Sequence, residues 1–454
     1  MEVIMTNNRV FIIPMMILCL LLSRLQSYAA VIDVPADQPT IQSGIDAAKE
    51  GDTVLVDDGI YTGEGNVNIN FKGKQITLKS QNGAKKTIID CEKKPETRGF
   101  IFQNTGSTKM VLDGFTIKNG THEFGGGVYC NFASPQIKNC IITENNPGGG
   151  IYCDNSGAFI EGCTITNNTV NTSYEGSIYL TGEWIGQLSR AEAKIVNCTI
   201  SDNTGNGIVS TGYINVEIND CTVSKNSGTG IVSTASYSAR VNLLTNSVIE
   251  QNSNGGVKVS ENTVLKIAES VIKSNTGSIG GGIHCSRTST IDISECIIAD
   301  NEATNQGGGI YVHAMLGNAN ISHTTITGNS AGLYGGGIYA SVSSDFTLSN
   351  SIVWGNSSDG THDEVFVSGG KIVIQSSNIG GGLEGLRRQA DGVKLIYEDN
   401  IDTDPLFVNA DNGDYRLKLN SPASGMGPQT NVGGALNVAP VGKRLIMWAD
   451  IKRK

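Results

Sequence analysis

A short phrase of alternating buried and polar positions recurs along the middle of the chain and always closes on an asparagine. In the copy CTITNN, Cys163 and Ile165 share one face of an extended segment while Thr164 points to the other. The nine copies end at Asn145, Asn168, Asn203, Asn226, Asn252, Asn275, Asn301, Asn329 and Asn356, in steps of 23 to 35 residues. A period of this length indicates a repeat architecture. Because the repeats are rich in β-branched residues and glycine, we predict one turn of a coil of strands per repeat.

Two further strands complete each predicted turn. One follows a glycine cluster, as in GGGVYC at Gly125 and GGGIHC at Gly280, and the other leads into the phrase, as in GAFIEGC before Cys163. Repeated glycine at one aligned place indicates a positive φ, or coils that approach too closely for a Cβ atom. Three short strands in about 23 residues match one turn of a parallel β-helix, and the chirality of parallel crossovers predicts right-handed winding.

Two aligned sets of residues should stabilise the stacked turns. The third position of the phrase is always Ile or Val, which predicts a continuous aliphatic column inside the coil. The closing asparagines tolerate left-handed backbone and can bond to one another from turn to turn, so we predict an asparagine ladder. Cysteines occupy aligned positions that other copies fill with Ser or Thr, and we expect buried free thiols, with disulfides as the alternative.

The asparagine phrase, the glycine-cluster strand and the N-terminal segment TIQSGIDAAKEGDTVLVDDGIYTG resemble the right-handed parallel β-helix proteins of the pectate-lyase-like superfamily, of secreted bacterial type. The resemblance covers roughly residues 31 to 437. It implies an all-β solenoid of about a dozen turns with a short N-terminal helix that plugs the open end. In this chain Ile41, Ile45 and Ala48 lie on one helical face, as such a cap requires.

The ends of the chain differ from the repeats. Arg9 precedes an apolar run that is followed by Ser27-Tyr28-Ala29, which is typical of a cleaved secretion signal. We therefore expect a secreted, extracellular or cell-surface protein with no membrane span after cleavage. The predicted organisation is a signal peptide at 1–29, a cap and entry turns at 30–100, the repeats at 101–385, a closing segment at 386–440 and a basic tail at 441–454.

The residue after the first Ile or Val of each glycine-cluster strand should point outward, and it is often tyrosine. Aromatic side chains beside polar ones suit a sugar chain, because rings pack on the apolar faces of sugars while polar groups bond to hydroxyls. We predict substrate binding by Tyr129, Tyr152, Asp154, Tyr179, Trp184, Tyr311, His313 and Tyr339. The expected partner is a polysaccharide or cell-surface glycan; the net charge of −10 argues against nucleic acid. A cover of loops over stacked tyrosines is the structural alternative.

The expected function is glycan binding without catalysis. The alternative is a polysaccharide lyase, glycoside hydrolase or epimerase that acts on an acidic polysaccharide on the same face. The chain lacks the catalytic motifs of such enzymes, and only position suggests Asp154, His284, Arg287 and His313 as catalytic candidates. We expect no resident metal and no cofactor, with calcium left open as an alternative.

Overall fold

The computed structural model describes residues 29–103, 109–171, 175–183, 191–235, 240–314, 318–341, 345–359, 361–389, 393–429 and 432. These residues form a right-handed parallel β-solenoid of about 13 turns, which confirms the predicted fold class. Three long parallel sheets run the length of the coil, and each complete turn contributes one strand to each sheet, with one extra strand at either end of the first sheet. The predicted signal peptide and basic tail lie outside the described residues, apart from Ala29.

The strands that begin each turn form a sheet that we call the lead-in sheet. Its strands in the described residues are Val31–Val34, Thr53–Val56, Thr77–Ser80, Val111–Asp113, Gln136–Lys138, Phe159–Glu161, Ala191–Val196, Ile214–Asn219, Arg240–Thr245, Thr263–Ala268, Thr290–Ser294, Asn318–Ser322, Asp345–Ser349, Lys371–Gln375 and Lys394–Glu398.

The asparagine phrases form a second sheet, the phrase sheet. Its described strands are Gly59–Tyr61, Thr87–Asp90, Thr116–Lys118, Ile141–Thr143, Thr164–Thr166, Thr199–Ser201, Thr222–Ser224, Val248–Glu250, Val271–Lys273, Ile297–Ala299, Thr325–Thr327, Ile352–Trp354 and Asn378–Ile379.

The strands after the glycine clusters form the third sheet, the glycine sheet. Its described strands are Ile69–Asn70, Phe100–Gln103, Val128–Asn131, Ile151–Asp154, Gly176–Gly182, Asn206–Gly212, Ile231–Thr234, Val257–Ser260, Ile283–Arg287, Ile310–Ala314, Ile338–Ala340, Val365–Val367 and Leu386–Arg388. Gly125 has φ 62°, and a Cβ atom on Gly127 would come within 2.6 Å of the Gly150 carbonyl oxygen. Glycine is therefore required in these clusters both for a positive φ and for the close approach of neighbouring turns.

The inward residues of the phrase sheet form the predicted aliphatic column. The register pairs Ile142 with Ile165 and Ile165 with Ile200, and the same alignment continues to Val353. All of these side chains are fully buried. A column of this kind removes apolar surface from water at every turn, so that each turn depends on its neighbours for its core.

The asparagine ladder is present from Asn145 to Asn356. Each side-chain amide donates to the next side-chain oxygen, with Asn145 Nδ2 2.9 Å from Asn168 Oδ1 and Asn329 Nδ2 2.9 Å from Asn356 Oδ1. The last asparagine donates instead to the buried carboxylate of Glu364, at 2.7 Å. The ladder therefore ends on an acidic side chain that the repeat pattern did not indicate.

The cysteine positions form a second ladder beside the first. The Cys140 backbone N–H donates to Cys163 Sγ at 3.4 Å, and the Cys221 N–H donates to Ser247 Oγ at 3.1 Å. Cys, Ser and Thr interchange there because each offers a γ heteroatom that accepts a hydrogen bond from the preceding turn. The nine cysteines of the described residues are buried free thiols, as expected.

A short helix, Ile41–Ala47, packs on the first turns. Thr40 begins it and accepts a hydrogen bond from the Ser43 backbone N–H, and Ile41, Ile45 and Ala48 are buried as predicted. Its apolar face covers residues of the strands Val31–Val34 and Thr53–Val56.

Two smaller sheets were not predicted. Thr276–Ile279, Glu302–Gln306, Ser330–Ala331, Ser357–Ser358 and Thr361–His362 form an added sheet between the phrase sheet and the glycine sheet. Near the C-terminus, Phe407–Asn409, the 3₁₀ helix Ala410–Asn412 and Asp414–Leu417 form a hairpin. The hairpin packs on the outer face of the phrase sheet, where Tyr415 contacts a cluster that includes Val271 and Ile297.

Candidate functional site

Tyrosines from three consecutive turns lie side by side on the outer face of the glycine sheet. The register pairs Tyr129 with Tyr152 and Tyr152 with Tyr179. The strands alternate, so that the neighbouring Val128 and Cys130 are buried while Tyr129 is half-buried. We call Tyr129, Tyr152 and Tyr179 the tyrosine file.

The rings of the tyrosine file contact one another: Tyr152 and Tyr179 are stacked, and Tyr129 is tilted against Tyr152. The ring centroids of Tyr152 and Tyr179 lie 4.9 Å apart with 23° between the ring planes, and those of Tyr129 and Tyr152 lie 6.0 Å apart. The facing sides of Tyr152 and Tyr179 therefore cover each other, and one face of the Tyr129 ring lies against Arg98, so the file presents mainly ring edges and hydroxyls outward. Sugar contacts with this file would use hydroxyl groups and ring edges, which differs from the face stacking that the sequence suggested.

Two exposed phenylalanines flank the tyrosine file. Phe124 is 37% exposed and stands edge-on to Tyr152, with 5.2 Å between the ring centroids. Phe132 is 40% exposed and follows the strand Val128–Asn131 with φ 47°. Left-handed backbone is uncommon for a bulky residue. These two side chains offer the exposed aromatic surface that the stacked tyrosines lack, and sequence reasoning missed both.

A polar file runs beside the tyrosines. Asp154 accepts hydrogen bonds from Asn131 Nδ2 at 3.0 Å and from Asn155 Nδ2 at 2.9 Å. Burial, and then the charge of Glu183, raises the pKa of the Asp154 carboxyl above its usual value. The carboxylate is thus held in place by two amides, in reach of a ligand on the file.

The aromatic file does not continue along the whole sheet. The register places Val209, Val232 and Lys258 next in line after Tyr179. Val209 is almost fully buried and Lys258 is exposed. The outward positions therefore divide into an N-terminal and a C-terminal aromatic group.

The C-terminal group is covered. Tyr311, Tyr339 and Phe366 stack with centroid distances of 5.1 Å and are 9%, 8% and 2% exposed. Ile279 and Tyr334, which lie in or beside the added sheet, pack against them. A ligand thus finds little surface on Tyr311 or Tyr339. These two tyrosines are stacked and covered, which is the alternative to glycan binding that the sequence left open. Trp184 lies outside the described residues.

Of the catalytic candidates, His284, Arg287 and His313 lie on two adjacent strands, whereas Asp154 lies far from them. His284 stands edge-on to Tyr311, and burial, with the charge of Lys258, lowers its pKa to about 4. His313 Nδ1 is 2.7 Å from Ser341 Oγ, and Arg287 forms an ion pair with Glu261. Five strand steps separate the Asp154 strand from the His284 strand, about 24 Å at 4.8 Å a step. A shared reaction centre with Asp154 is therefore excluded by distance.

A cleft lies at the N-terminal end of the tyrosine file. Its volume is about 370 Å³, and its lining residues are Asn68, Glu96, Arg98, Ile101, Gln103, His122 and Tyr129. The Arg98 guanidinium lies over the Tyr129 ring, 4.6 Å from the ring centroid. The strand register pairs Phe100 with Val128, so Arg98 aligns with the middle glycine of the GGG cluster in the next turn. Extending the alignment of the glycine clusters back by one turn would therefore have singled out Arg98 from the sequence.

The sequence matches one family model, described as "Right handed beta helix region". Three overlapping stretches match, residues 76–242, 127–298 and 178–353, and together they span more than half of the 454 residues. The chain belongs to the right-handed β-helix family. No curated protein matches its sequence.

Several solved structures are similar to this β-helix. They include pectate lyase Pel9A, at 13% sequence identity and a TM-score of 0.36 over 87% of this chain and 91% of that one. The PL6 family polysaccharide lyase Pedsa3628 from Pseudopedobacter saltans has 12% identity and a TM-score of 0.40 over 88% and 99%. The A-module of the Azotobacter vinelandii mannuronan C-5 epimerase AlgE4 has 13% identity and a TM-score of 0.33 over 79% and 94%.

In the part of the chain that the structure describes, no three His, Cys, Asp or Glu side chains converge to hold a metal ion. Over the same residues, no helix is long and apolar enough to span a bilayer.

Proposed function

We propose that this β-helix is a secreted or cell-surface protein that binds a polysaccharide, without catalysis, across the turns that carry the tyrosine file. The observation that carries the proposal is the row of three half-buried tyrosines in register, with the amides and carboxylate of the polar file beside it. Neighbouring strands lie about 4.8 Å apart, so the file offers a regular series of hydroxyls to an extended sugar chain.

The exposed phenylalanines support the same face. Carbohydrate sites combine apolar ring surface with a few oriented polar groups. Phe124 and Phe132 supply the ring surface on either side of the file, while Asn131 and Asp154 supply the oriented polar groups. The ligand we propose lies over the file between these two phenylalanines.

Binding to a panel of neutral and acidic polysaccharides, with and without calcium, tests the proposal. Calorimetry or affinity electrophoresis would measure retention, and assays for reducing ends and unsaturated products would detect chemistry. We expect retention of at least one glycan without products. Chain cleavage would replace the proposal with the enzyme alternative, and a failure to bind any glycan would end it.

Matched variants locate the binding face. Tyr152→Ala and Phe132→Ala should each weaken binding roughly tenfold, because the first removes the middle ring of the file and the second removes exposed aromatic surface beside it. Tyr397→Ala is the control, since Tyr397 is a half-buried tyrosine of the lead-in sheet. An equal loss in the control variant would show a general effect on folding.

A further inference from the structure

Arg98 is fixed in position at the entrance to the glycine sheet. Its backbone N–H donates to Asn68 Oδ1 at 2.9 Å, and its carbonyl accepts from the Asn68 N–H at 2.7 Å. Its guanidinium lies against the Tyr129 ring. Backbone and side chain are thus both held before any ligand arrives, which reduces the entropy that binding must overcome.

The guanidinium is buried without a full set of partners. Arg98 is 5% exposed, and its buried Nη1 has no hydrogen-bond partner among the residues that the structure describes. A buried charged donor without an acceptor is costly, and such groups usually have a partner. Burial lowers the pKa of Arg98 to about 10, so the side chain stays charged at neutral pH.

The cleft beside Arg98 has the size and lining of a small binding site. Its volume of about 370 Å³ lies near the lower end of ligand pockets, so it suits a group as small as one sugar unit. Asn68 and Gln103 line it as amide side chains, and Ile101 and Tyr129 supply apolar surface. His122 Nε2 lies 3.7 Å from Glu96 Oε2, and that carboxylate is 82% exposed.

The buried guanidinium of Arg98 favours a small anion in the cleft. A guanidinium binds carboxylates through two parallel hydrogen bonds, and such bonds are stronger than those between neutral groups. The Glu96 carboxylate also lines the cleft and would oppose a doubly charged phosphate more than a singly charged carboxylate. The aromatic neighbours and amides suit the ring and hydroxyls of a sugar.

We propose that the cleft around Arg98 is a subsite for the carboxylate of an acidic sugar unit, at the end of the tyrosine file. This inference rests on the proposed glycan binding and adds to it the charge class of the ligand. Arg98 binds the carboxylate, Tyr129 contacts the sugar ring, and the chain of the glycan continues over Tyr152 and Tyr179.

The experiment compares acidic oligosaccharides with neutral counterparts of the same length. The probes are oligogalacturonate, oligoglucuronate and oligomannuronate, each beside its carboxyl-reduced form, titrated into the full chain by calorimetry. We expect the acidic member of at least one pair to bind ten- to a hundredfold more tightly, as charge-assisted hydrogen bonds in a buried site allow.

Variants assign that preference to Arg98. In Arg98→Gln the acidic and reduced members should bind equally, while Arg98→Lys, which keeps the charge but not the planar fork, should retain part of the preference. Arg387→Gln is the matched control, because Arg387 also lies over a tyrosine ring, 5.0 Å from the Tyr334 centroid, at the far end of the sheet. Thermal unfolding checks each variant, and Arg98→Lys carries the test if Arg98→Gln does not fold.

The outcomes separate the two proposals. Equal binding of acidic and reduced members by the unaltered chain, or a preference that survives both Arg98 substitutions, overturns the inference and leaves glycan binding in place. An acidic preference that depends on Arg98 but is untouched by Tyr152→Ala supports the subsite and contradicts the tyrosine file. Binding of no oligosaccharide overturns both.

Discussion

At the scale of single residues, Phe132 combines an exposed aromatic side chain with a backbone conformation that lowers the stability of the fold. It has φ 47°, a conformation that costs most residues about 1–2 kcal/mol. Asn155 occupies the aligned position in the next turn with φ 49°, and asparagine tolerates this conformation. An exposed aromatic residue at a strained position is the kind of feature found at binding sites.

Replacement of Phe132 by asparagine separates the effect of this residue on stability from its effect on glycan binding. We expect Phe132→Asn to stabilise the fold by about 1 kcal/mol, because the new side chain fits left-handed backbone. The same change should weaken glycan binding. Urea unfolding and glycan titration measure the two quantities, and a loss of stability would contradict our account of the strain.

At the scale of elements, the asparagine ladder couples each turn to the next. Asn252 accepts from Asn226 Nδ2 at 3.0 Å and donates to Asn275 Oδ1 at 3.0 Å, and all three are buried. Removal of one member leaves buried donors and acceptors unsatisfied on both sides, which costs about 1–3 kcal/mol for each group.

Asn252→Ala should therefore lower the free energy of unfolding by roughly 3 kcal/mol or more. The exposed Asn254, two residues away, provides the control. Asn254→Ala should change the free energy of unfolding by less than about 0.5 kcal/mol. Chemical denaturation followed by circular dichroism measures both. Equal effects would mean that the ladder contributes little beyond the aliphatic column.

The end of the ladder should make stability depend on pH. Glu364 is 2% exposed and accepts hydrogen bonds from Asn356 Nδ2 and from the Gly355 N–H. Burial raises its pKa to about 7, from 4.5 for an ordinary glutamate. Because the folded state holds this proton more tightly, its contribution to stability is full below pH 4.5 and is lost as the pH rises to about 7.

The size of this effect follows from the shift of the pKa, and is about 3 kcal/mol. Glu364→Gln cannot titrate, so the variant should lose this part of the pH dependence. Thermal unfolding between pH 4 and 8 compares the two proteins. Parallel stability curves would show that Glu364 does not titrate in this range.

At the scale of the whole molecule, the C-terminal segment returns along the side of the solenoid. The Tyr415 hydroxyl donates to Asp300 Oδ2 at 2.9 Å, and the Gly427 N–H donates to the Asn350 carbonyl at 2.9 Å. The residues of the phrase sheet beneath it, Val271, Ile297 and Ala299, are apolar. The segment thus covers an apolar stripe that would otherwise face water.

Tyr415→Phe should loosen this segment without melting the coil. A hydrogen bond to a charged group contributes about 1.5–3 kcal/mol, and its loss acts locally in a solenoid. Hydrogen exchange should accelerate in residues 407–417 and stay unchanged at the asparagine ladder. Acceleration throughout the chain would show that the segment supports the whole solenoid.

The sequence by itself determined the fold of this protein. Two-residue alternation sets which side chains face inward, and the spacing of the asparagines sets the register of the turns. The aliphatic column, the asparagine ladder and the alignment of Tyr129 with Tyr152 therefore followed from local sequence patterns. The boundaries of the signal peptide, the repeats, the closing segment and the tail stay predictions.

Only the tertiary structure decided which outward residues a ligand can reach. Tyr152 and Tyr311 occupy the same position in their turns, but the added sheet and its neighbouring loops cover Tyr311 and leave Tyr152 half-buried. The cleft at Arg98 likewise depends on loops from three turns, at Asn68, Glu96 and His122. Repeat patterns specify contacts between aligned positions, whereas loops of unequal length meet only after the coil has formed. The exposure of the outward side chains therefore could not be predicted from the spacing of the repeats.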